Sequence, residues 1–418
     1  MTKESCERGE LDRVPEMPMR KLNIGLFSDT YLPDVNGVAV SVDTLRRQLE
    51  AMGHRVYVVT SSLETRLVGS AVMDGNVLRV PSVRMKQLYG YGLSRPMSLH
   101  GMEYIREMRL DLIHIHTEFS IRILAVTAAK LFRIPVVCTY HTMYEDYTHY
   151  VTRGYFKHSS KRLVAWYTRQ ILSSRQTRVV VPSEKTKQAL ERYGIKKQIS
   201  VIPTGIDIER FLPDKLDWGE VKQTLERLKI PPDAFRLCYV GRLAEEKSLD
   251  LILRAFPRLL QLVPNVVLLV TGYGPCEEAW KRLSDSLGLK DHVFFLGKCS
   301  PDQVQNAYGL GEVFVSASTS ETQGITYVEA MGAGLPVIAR YDECLQGLLT
   351  DGENGFFFRD VTEFVQKVTA YAALSQDQKQ QMSQAALEKA KEYSLETFGK
   401  RILQVYEDAI AAVNVARR

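Results

Sequence analysis

The chain has 418 residues, 45% of them hydrophobic and 25% charged, which is enough to bury the cores of two domains. Its formal net charge is +5, with the surplus of Lys and Arg in the N-terminal half and a surplus of acids in the C-terminal half, an asymmetry that points to nucleic acid, an anionic membrane or an anionic ligand. No apolar run approaches the roughly 18 residues of a membrane-spanning helix, and six scattered cysteines without a Cys-x-x-Cys pair predict reduced, structural thiols rather than a disulfide framework.

The charged start, Met1-Thr2-Lys3-Glu4, predicts no signal peptide and a cytosolic protein, and residues 1–20 read as a disordered extension. Asn23–Phe27 is the first predicted strand, and the segment from Ser28 to Ser41 leads from it into a helix. Gly37 stands at that helix start, where an N–H can meet a phosphate, although a lone glycine in such a loop more often only satisfies a turn. Further strands are predicted at Arg55–Thr60, Val77–Val80, Leu112–His116, Val136–Thr139, Arg178–Val181 and Ser200–Ile202. His114, His116 and Glu118 close one of these strands, but one strand face supplies two ligands with no third apparent, so no metal site is predicted. Thr139-Tyr140-His141 follows another strand and puts His141 at a carboxyl end, where parallel α/β sheets bind ligands.

From Arg153 to Arg178 the sequence carries Lys and Arg but no acid, interleaved with Tyr155, Phe156, Trp166 and Tyr167. On a helix, Arg153, Lys157 and Lys161 share one face, and Leu163, Trp166, Tyr167 and Leu172 suggest an apolar stripe. Such a helix either packs on its sheet with a solvated outer face or meets anionic lipid heads. No recognised nucleic-acid module accompanies the charge, so nucleic acid is not expected as a partner.

Pro203-Thr204-Gly205-Ile206-Asp207 then breaks the pattern, and a second α/β series follows with strands at Arg236–Val240, Val266–Thr271, His292–Leu296, Val313–Ala317 and Pro336–Ala339. This predicts two Rossmann-like domains, residues 21–205 and 206–394, facing one cleft, and then a helix from about Leu395 to Ala412. Past the strand Arg236–Val240, Gly241 permits close backbone approach, and the cations Arg242 and Lys247 can clamp a diphosphate. Glu321 and Glu329 flank Gly324 at the opening of another helix, so two carboxylates and a row of backbone N–H donors surround one anion pocket. Wholly helical spacing would separate them by up to roughly 12 Å, whereas the two carboxylates of a glycoside hydrolase stand about 5 to 10 Å apart across one linkage. The spacing suits a sugar nucleotide, with a hexose at one end and a ribose at the other.

This segment, Glu321-Thr322-Gln323-Gly324-Ile325-Thr326-Tyr327-Val328-Glu329, resembles the E-x7-E motif of the retaining glycosyltransferases of family 4. The resemblance covers nearly the whole chain from Lys21. It implies the α/β GT-B fold, two Rossmann-like domains with the C-terminal helix, residues 395–418, packing back on the first. It implies that Glu329 holds the ribose, that Glu321 holds the donor hexose, and that the amides of Gly324, Ile325 and Thr326 face sugar and diphosphate. It assigns Arg242 and Lys247 to the diphosphate, Gly37 to the loop over it, and His141 to the active site beside the reacting carbon. The run from Thr139 to Tyr150 is similar to a narrower group, bacterial enzymes that glucosylate diacylglycerol. The implied reaction moves glucose from UDP-glucose to diacylglycerol with retention, on the inner face of the cell membrane, with Arg153, Lys157 and Lys161 at an anionic membrane surface. No cofactor is obligatory, and Mg2+ is allowed but not required. The rivals are a family 4 transferase with another acceptor, such as phosphatidylinositol, a cell-wall precursor or a soluble sugar phosphate, and a non-catalytic nucleotide-sugar or lipid-binding protein.

Overall fold

The computed structural model describes residues 20–34, 36–65, 70–84, 92–94, 99–141, 157–172, 177–300, 302–319, 321 and 323–416. The expected extension over residues 1–20 falls outside them apart from its last residue, and so does Arg153.

The first domain runs β1 (Asn23–Ser28), α1 (Gly37–Ala51), β2 (Arg55–Thr65), β3 (Val72–Asp74), β4 (Val77–Arg84), β5 (Gly92–Ser94), α2 (Leu99–Glu107), β6 (Leu112–Ile115), α3 (Ser120–Phe132), β7 (Val136–Thr139), α4 (Lys157–Leu172), β8 (Thr177–Val181), α5 (Glu184–Arg192) and β9 (Ile199–Val201). Its sheet has the order β3-β4-β2-β1-β6-β7-β8-β9, parallel except that β3 and β5 lie antiparallel to β4. The second domain runs α6 (Trp218–Arg227), β10 (Phe235–Val240), α7 (Leu249–Leu262), β11 (Val266–Thr271), α8 (Glu277–Ser286), β12 (Val293–Gly297), α9 (Val304–Gly309), β13 (Val313–Ser316), α10 (Ile325–Gly332), β14 (Val337–Arg340), β15 (Gly355–Phe358), α11 (Val361–Ala372), α12 (Gln376–Lys391) and α13 (Leu395–Ala416). Its sheet, in the order β12-β11-β10-β13-β14-β15, is parallel throughout.

The continuous apolar runs follow from this layering. Every residue of β11, Val-Val-Leu-Leu-Val-Thr, is buried, as expected of a parallel strand with helices on both faces. Helix starts are fixed locally: Asn36 caps α1, Ser183 caps α5, and Ser375 with Gln378 forms a capping box on α12.

Two crossings join the domains. The Ile206 N–H donates to the Tyr393 carbonyl at 2.9 Å, so the two linking segments run side by side. Helix α13 then returns to the first domain, where Phe398, Ile402, Leu403, Tyr406 and Ala409 complete the core formed by Ile24, Leu26, Val42 and Leu45. Gly399 lies close against α1, where a Cβ would stand 2.7 Å from Gln48 Cγ and 2.9 Å from Met52 Sδ, so a larger residue would have to displace those side chains.

Helix α4 departs from the apolar stripe expected of it. Thr168, Ile171 and Leu172 are buried with Ala165 partly so, while Trp166 and Tyr167 are 56% and 43% exposed. The buried positions keep the three- and four-residue spacing of a helix face, and the aromatic residues lie beside that face rather than on it. Among the described residues, no helix is long and apolar enough to cross a membrane.

Candidate active site

The carboxyl ends of β10 and β11 pack their loops tightly. A Cβ on Gly272 would stand 1.8 Å from the Gly241 carbonyl oxygen, and one on Gly274 would stand 2.3 Å from that of Leu243. The Tyr239 hydroxyl donates to the Arg242 carbonyl at 3.0 Å, which fixes the backbone of a residue whose side chain is exposed. Lys247 ends the one-turn helix Glu245–Lys247, and its ammonium lies 2.5 Å from Glu321 Oε1. The first acid and the second cation singled out from the sequence therefore meet as a largely buried ion pair.

The loop holding Glu321 is also tied to the first domain. Lys185 of α5 donates to the Glu321 carbonyl at 3.3 Å and pairs with the buried carboxylate of Asp342 at 3.2 Å. Asp342 in turn accepts the Cys344 N–H at 2.8 Å.

Gly324 precedes α10 in the left-handed region, φ 68° and ψ 38°, which a side chain would strain. The hydrogen bonds of α10 begin with the Tyr327 and Val328 N–H groups donating to the Gly324 carbonyl, at 3.1 and 3.3 Å. The amides of Gly324, Ile325 and Thr326 thus precede the helical ladder, at the end where the dipole favours an anion. One turn on, Glu329 Oε2 accepts the Tyr308 hydroxyl at 2.6 Å. Burial raises the Glu329 carboxyl above its ordinary pKa, against the opposing pull of the Tyr308 hydrogen bond and of Arg210. The Tyr308 phenol is pushed well above its usual value, first by burial and then by the charge of Glu329.

On the first domain, three imidazoles form a row at the ends of β6 and β7. The rings of His114 and His116 are 4.0 Å apart, and those of His116 and His141 stack at 5.3 Å. His116 Nδ1 and His141 Nε2 share a hydrogen bond of 3.0 Å. His114 is engaged at both nitrogens, with Tyr406 of α13 and with Thr139, each at 2.7 Å. Burial lowers the His114 pKa to about 3 and that of His141 to about 4, and holds His116 well below the ordinary value. All three are neutral at physiological pH and act as hydrogen-bonding groups rather than as cations.

Asp29 braces the adjoining turn, accepting from Thr117 Oγ1 at 2.6 Å, Ser120 Oγ at 2.8 Å and the Ile121 N–H at 2.9 Å, where α3 begins. Gly37 is exposed as the first residue of α1, and a Cβ there would meet nothing within 4 Å. The protein itself does not require glycine at that position. Among the described residues no group of three or more His, Cys, Asp or Glu side chains is arranged to hold a metal ion. Lys157 opens α4 and Lys161 lies one turn along it, on the first domain.

The structure thus brings Arg242, Lys247, Glu321 and Gly324–Thr326, with Glu329, to one end of the second sheet, and His141 to the corresponding end of the first. Tyr308, Lys185, Asp342 and Tyr406 escaped the sequence reading. Each meets its partner across a long stretch of chain, and none stands in a recognisable local pattern.

The sequence model of Glycosyltransferase Family 4 matches residues 35–210, and that of Glycosyl transferases group 1 matches residues 221–389. The chain is 34% identical over 394 residues to an alpha-monoglucosyldiacylglycerol synthase of Streptococcus pneumoniae, covering 94% of this chain and 87% of that one. It is also 34% identical over 397 residues to an alpha-monoglucosyldiacylglycerol synthase of Acholeplasma laidlawii, covering 93% and 98%. Among solved structures, Anabaena HepE in complex with UDP superposes with a TM-score of 0.69 over 92% of this chain and 99% of that one, at 17% identity, a likeness of fold.

Proposed function

The chain belongs to glycosyltransferase family 4, with the GT-B fold, and we propose that it transfers glucose from UDP-glucose to the free hydroxyl of diacylglycerol, with retention, at an anionic membrane surface. The observation that carries this reading is the identity of 34% to two alpha-monoglucosyldiacylglycerol synthases, each spanning more than nine-tenths of this chain.

In this reading Glu329 accepts the ribose hydroxyls and Glu321 the hexose hydroxyls, while Arg242, Lys247 and the first amides of α10 face the diphosphate. Charge on the leaving phosphate grows as the bond from the anomeric carbon to the phosphate oxygen breaks, so cations there stabilise the transition state more than the bound donor. The acceptor oxygen attacks the same face, its proton passes to the departing phosphate, and the products are an α-glucoside and UDP. Lys247, already paired with Glu321, links the group holding the hexose to the group facing the phosphate. This reading takes Arg242, Lys247 and the helix amides as the partners of the diphosphate and does not call for Mg2+ to bridge it. His141, kept neutral by burial, donates or accepts a hydrogen bond beside the reacting carbon without carrying charge to it. Helix α4, cationic from Lys157 and Lys161 and bearing exposed Trp166, is the element assigned to the lipid surface, with Arg153 just before it.

Incubation with radiolabelled UDP-glucose, UDP-galactose or GDP-mannose and anionic vesicles containing diacylglycerol tests the reading. A lipid-soluble product from UDP-glucose, α-linked by NMR, is expected. Label transferred only to water-soluble acceptors would overturn the acceptor assignment.

A further inference from the structure

We propose that Tyr308 is a positioning residue for the donor site, holding Glu329 by Oε2 so that Oε1 is presented to the vicinal hydroxyls of the nucleotide ribose. The inference rests on the reading of Glu329 as the ribose ligand and adds a residue that the family motif does not contain.

The geometry is specific. Tyr308 is fully buried near the end of α9, and its hydroxyl donates to Glu329 on a separate helix, α10, at 2.6 Å. Its ring is fixed by an edge-on contact with Phe211, centroids 5.8 Å apart, and by Phe314 at 6.0 Å. The donor therefore does not follow Glu329 if the carboxylate rotates; the carboxylate must come to it. A diol needs an acceptor at a defined place, and a Glu side chain without such a contact samples many rotamers at an entropic cost on binding.

The phenol also bears on the charge of the acid. Burial favours the neutral carboxyl of Glu329, whereas the Tyr308 hydrogen bond and Arg210 favour the carboxylate. Arg210 donates to Gln305 Oε1 at 3.0 Å and lies over the Phe211 ring. Cys238 on β10 packs in the same core as the phenol, whereas Tyr239, next along the strand, lies in the core on the opposite face of the sheet; burial raises the pKa of both, so they remain uncharged at neutral pH. Removing the Tyr308 hydroxyl raises the Glu329 pKa further, so the carboxylate needed for binding is lost at a higher pH as the solution is acidified.

Calorimetric titration of UDP and of 2′-deoxy-UDP over a pH series tests this with Tyr308→Phe, which keeps the ring, and with Glu329→Gln. Tyr308→Phe is expected to bind UDP about 10-fold more weakly at neutral pH, to show its acid limb at higher pH than wild type, and to lose less with 2′-deoxy-UDP. Tyr308→Phe curves that superimpose on wild type, beside a weakened Glu329→Gln, would overturn the positioning role and leave the ribose assignment standing. Equal losses of UDP and 2′-deoxy-UDP in Tyr308→Phe would also overturn it. Wild-type UDP affinity in Glu329→Gln would overturn the ribose assignment itself, and the proposal with it.

Discussion

At the carboxyl ends of the second sheet, Lys247 pairs with Glu321 and Tyr308 holds Glu329, whereas at the ends of the first sheet burial keeps His114, His116 and His141 neutral in a row. The second domain presents charges already held by partners, and the first presents a row of uncharged imidazoles, with Lys185 of α5 as a cation that pairs across with Asp342. The proposed nucleotide-sugar donor fits the former, because prearranged cations cost little reorganisation as charge develops on the departing phosphate. The proposed lipid acceptor fits the latter, since its hydroxyl brings no charge to compensate. Lys157 and Lys161 of the first domain lie on α4, with Trp166 exposed beside a face that packs on the sheet.

The sharpest way to break this comparison is at His141. His141→Ala should lower turnover by about 100-fold while leaving UDP affinity and the thermal unfolding midpoint near those of wild type. Steady-state kinetics beside a melting curve decides it, and wild-type turnover in a folded variant would reduce the imidazole row to packing. A smaller effect is expected from the cationic residues before and along α4 of the same domain. Replacing Arg153, Lys157 and Lys161 together by Glu should weaken sedimentation on anionic vesicles, since each cation near such a surface contributes about 1 kcal/mol of attraction. Wild-type binding should itself weaken with added salt, because screening shortens the reach of these charges. Equal sedimentation of variant and wild type would remove α4 from the lipid surface.

Much of this division was legible in the sequence. The strands of both sheets stand out as Val- and Ile-rich runs because parallel strands are buried on both faces. Arg242, Lys247, Glu321 and Glu329 were legible because a glycine loop, a strand end and a helix start concentrate them in short segments. Strands β3, β5 and β15 were not, being short, with β15 opening on Gly355 and carrying no alternation. The face of α4 was misjudged because Trp166 and Tyr167 look like core residues by type, and only the neighbouring elements decide which side is covered. Tyr308, Lys185 and Tyr406 were invisible for a different reason. Tyr308 reaches Glu329 from 21 residues away, Lys185 reaches Asp342 from 157, and Tyr406 reaches His114 from 292, so only the fold creates these contacts.

The division of labour is tested most directly by calorimetric titration of UDP into Lys247→Ala, Glu321→Ala and His141→Ala. The account predicts a loss of about 10-fold or more in affinity for Lys247→Ala, as expected for a charged hydrogen bond to the diphosphate, with affinity near wild type for Glu321→Ala and His141→Ala. Unchanged UDP binding in Lys247→Ala, or its loss in His141→Ala, would contradict the assignment of the nucleotide to the second domain.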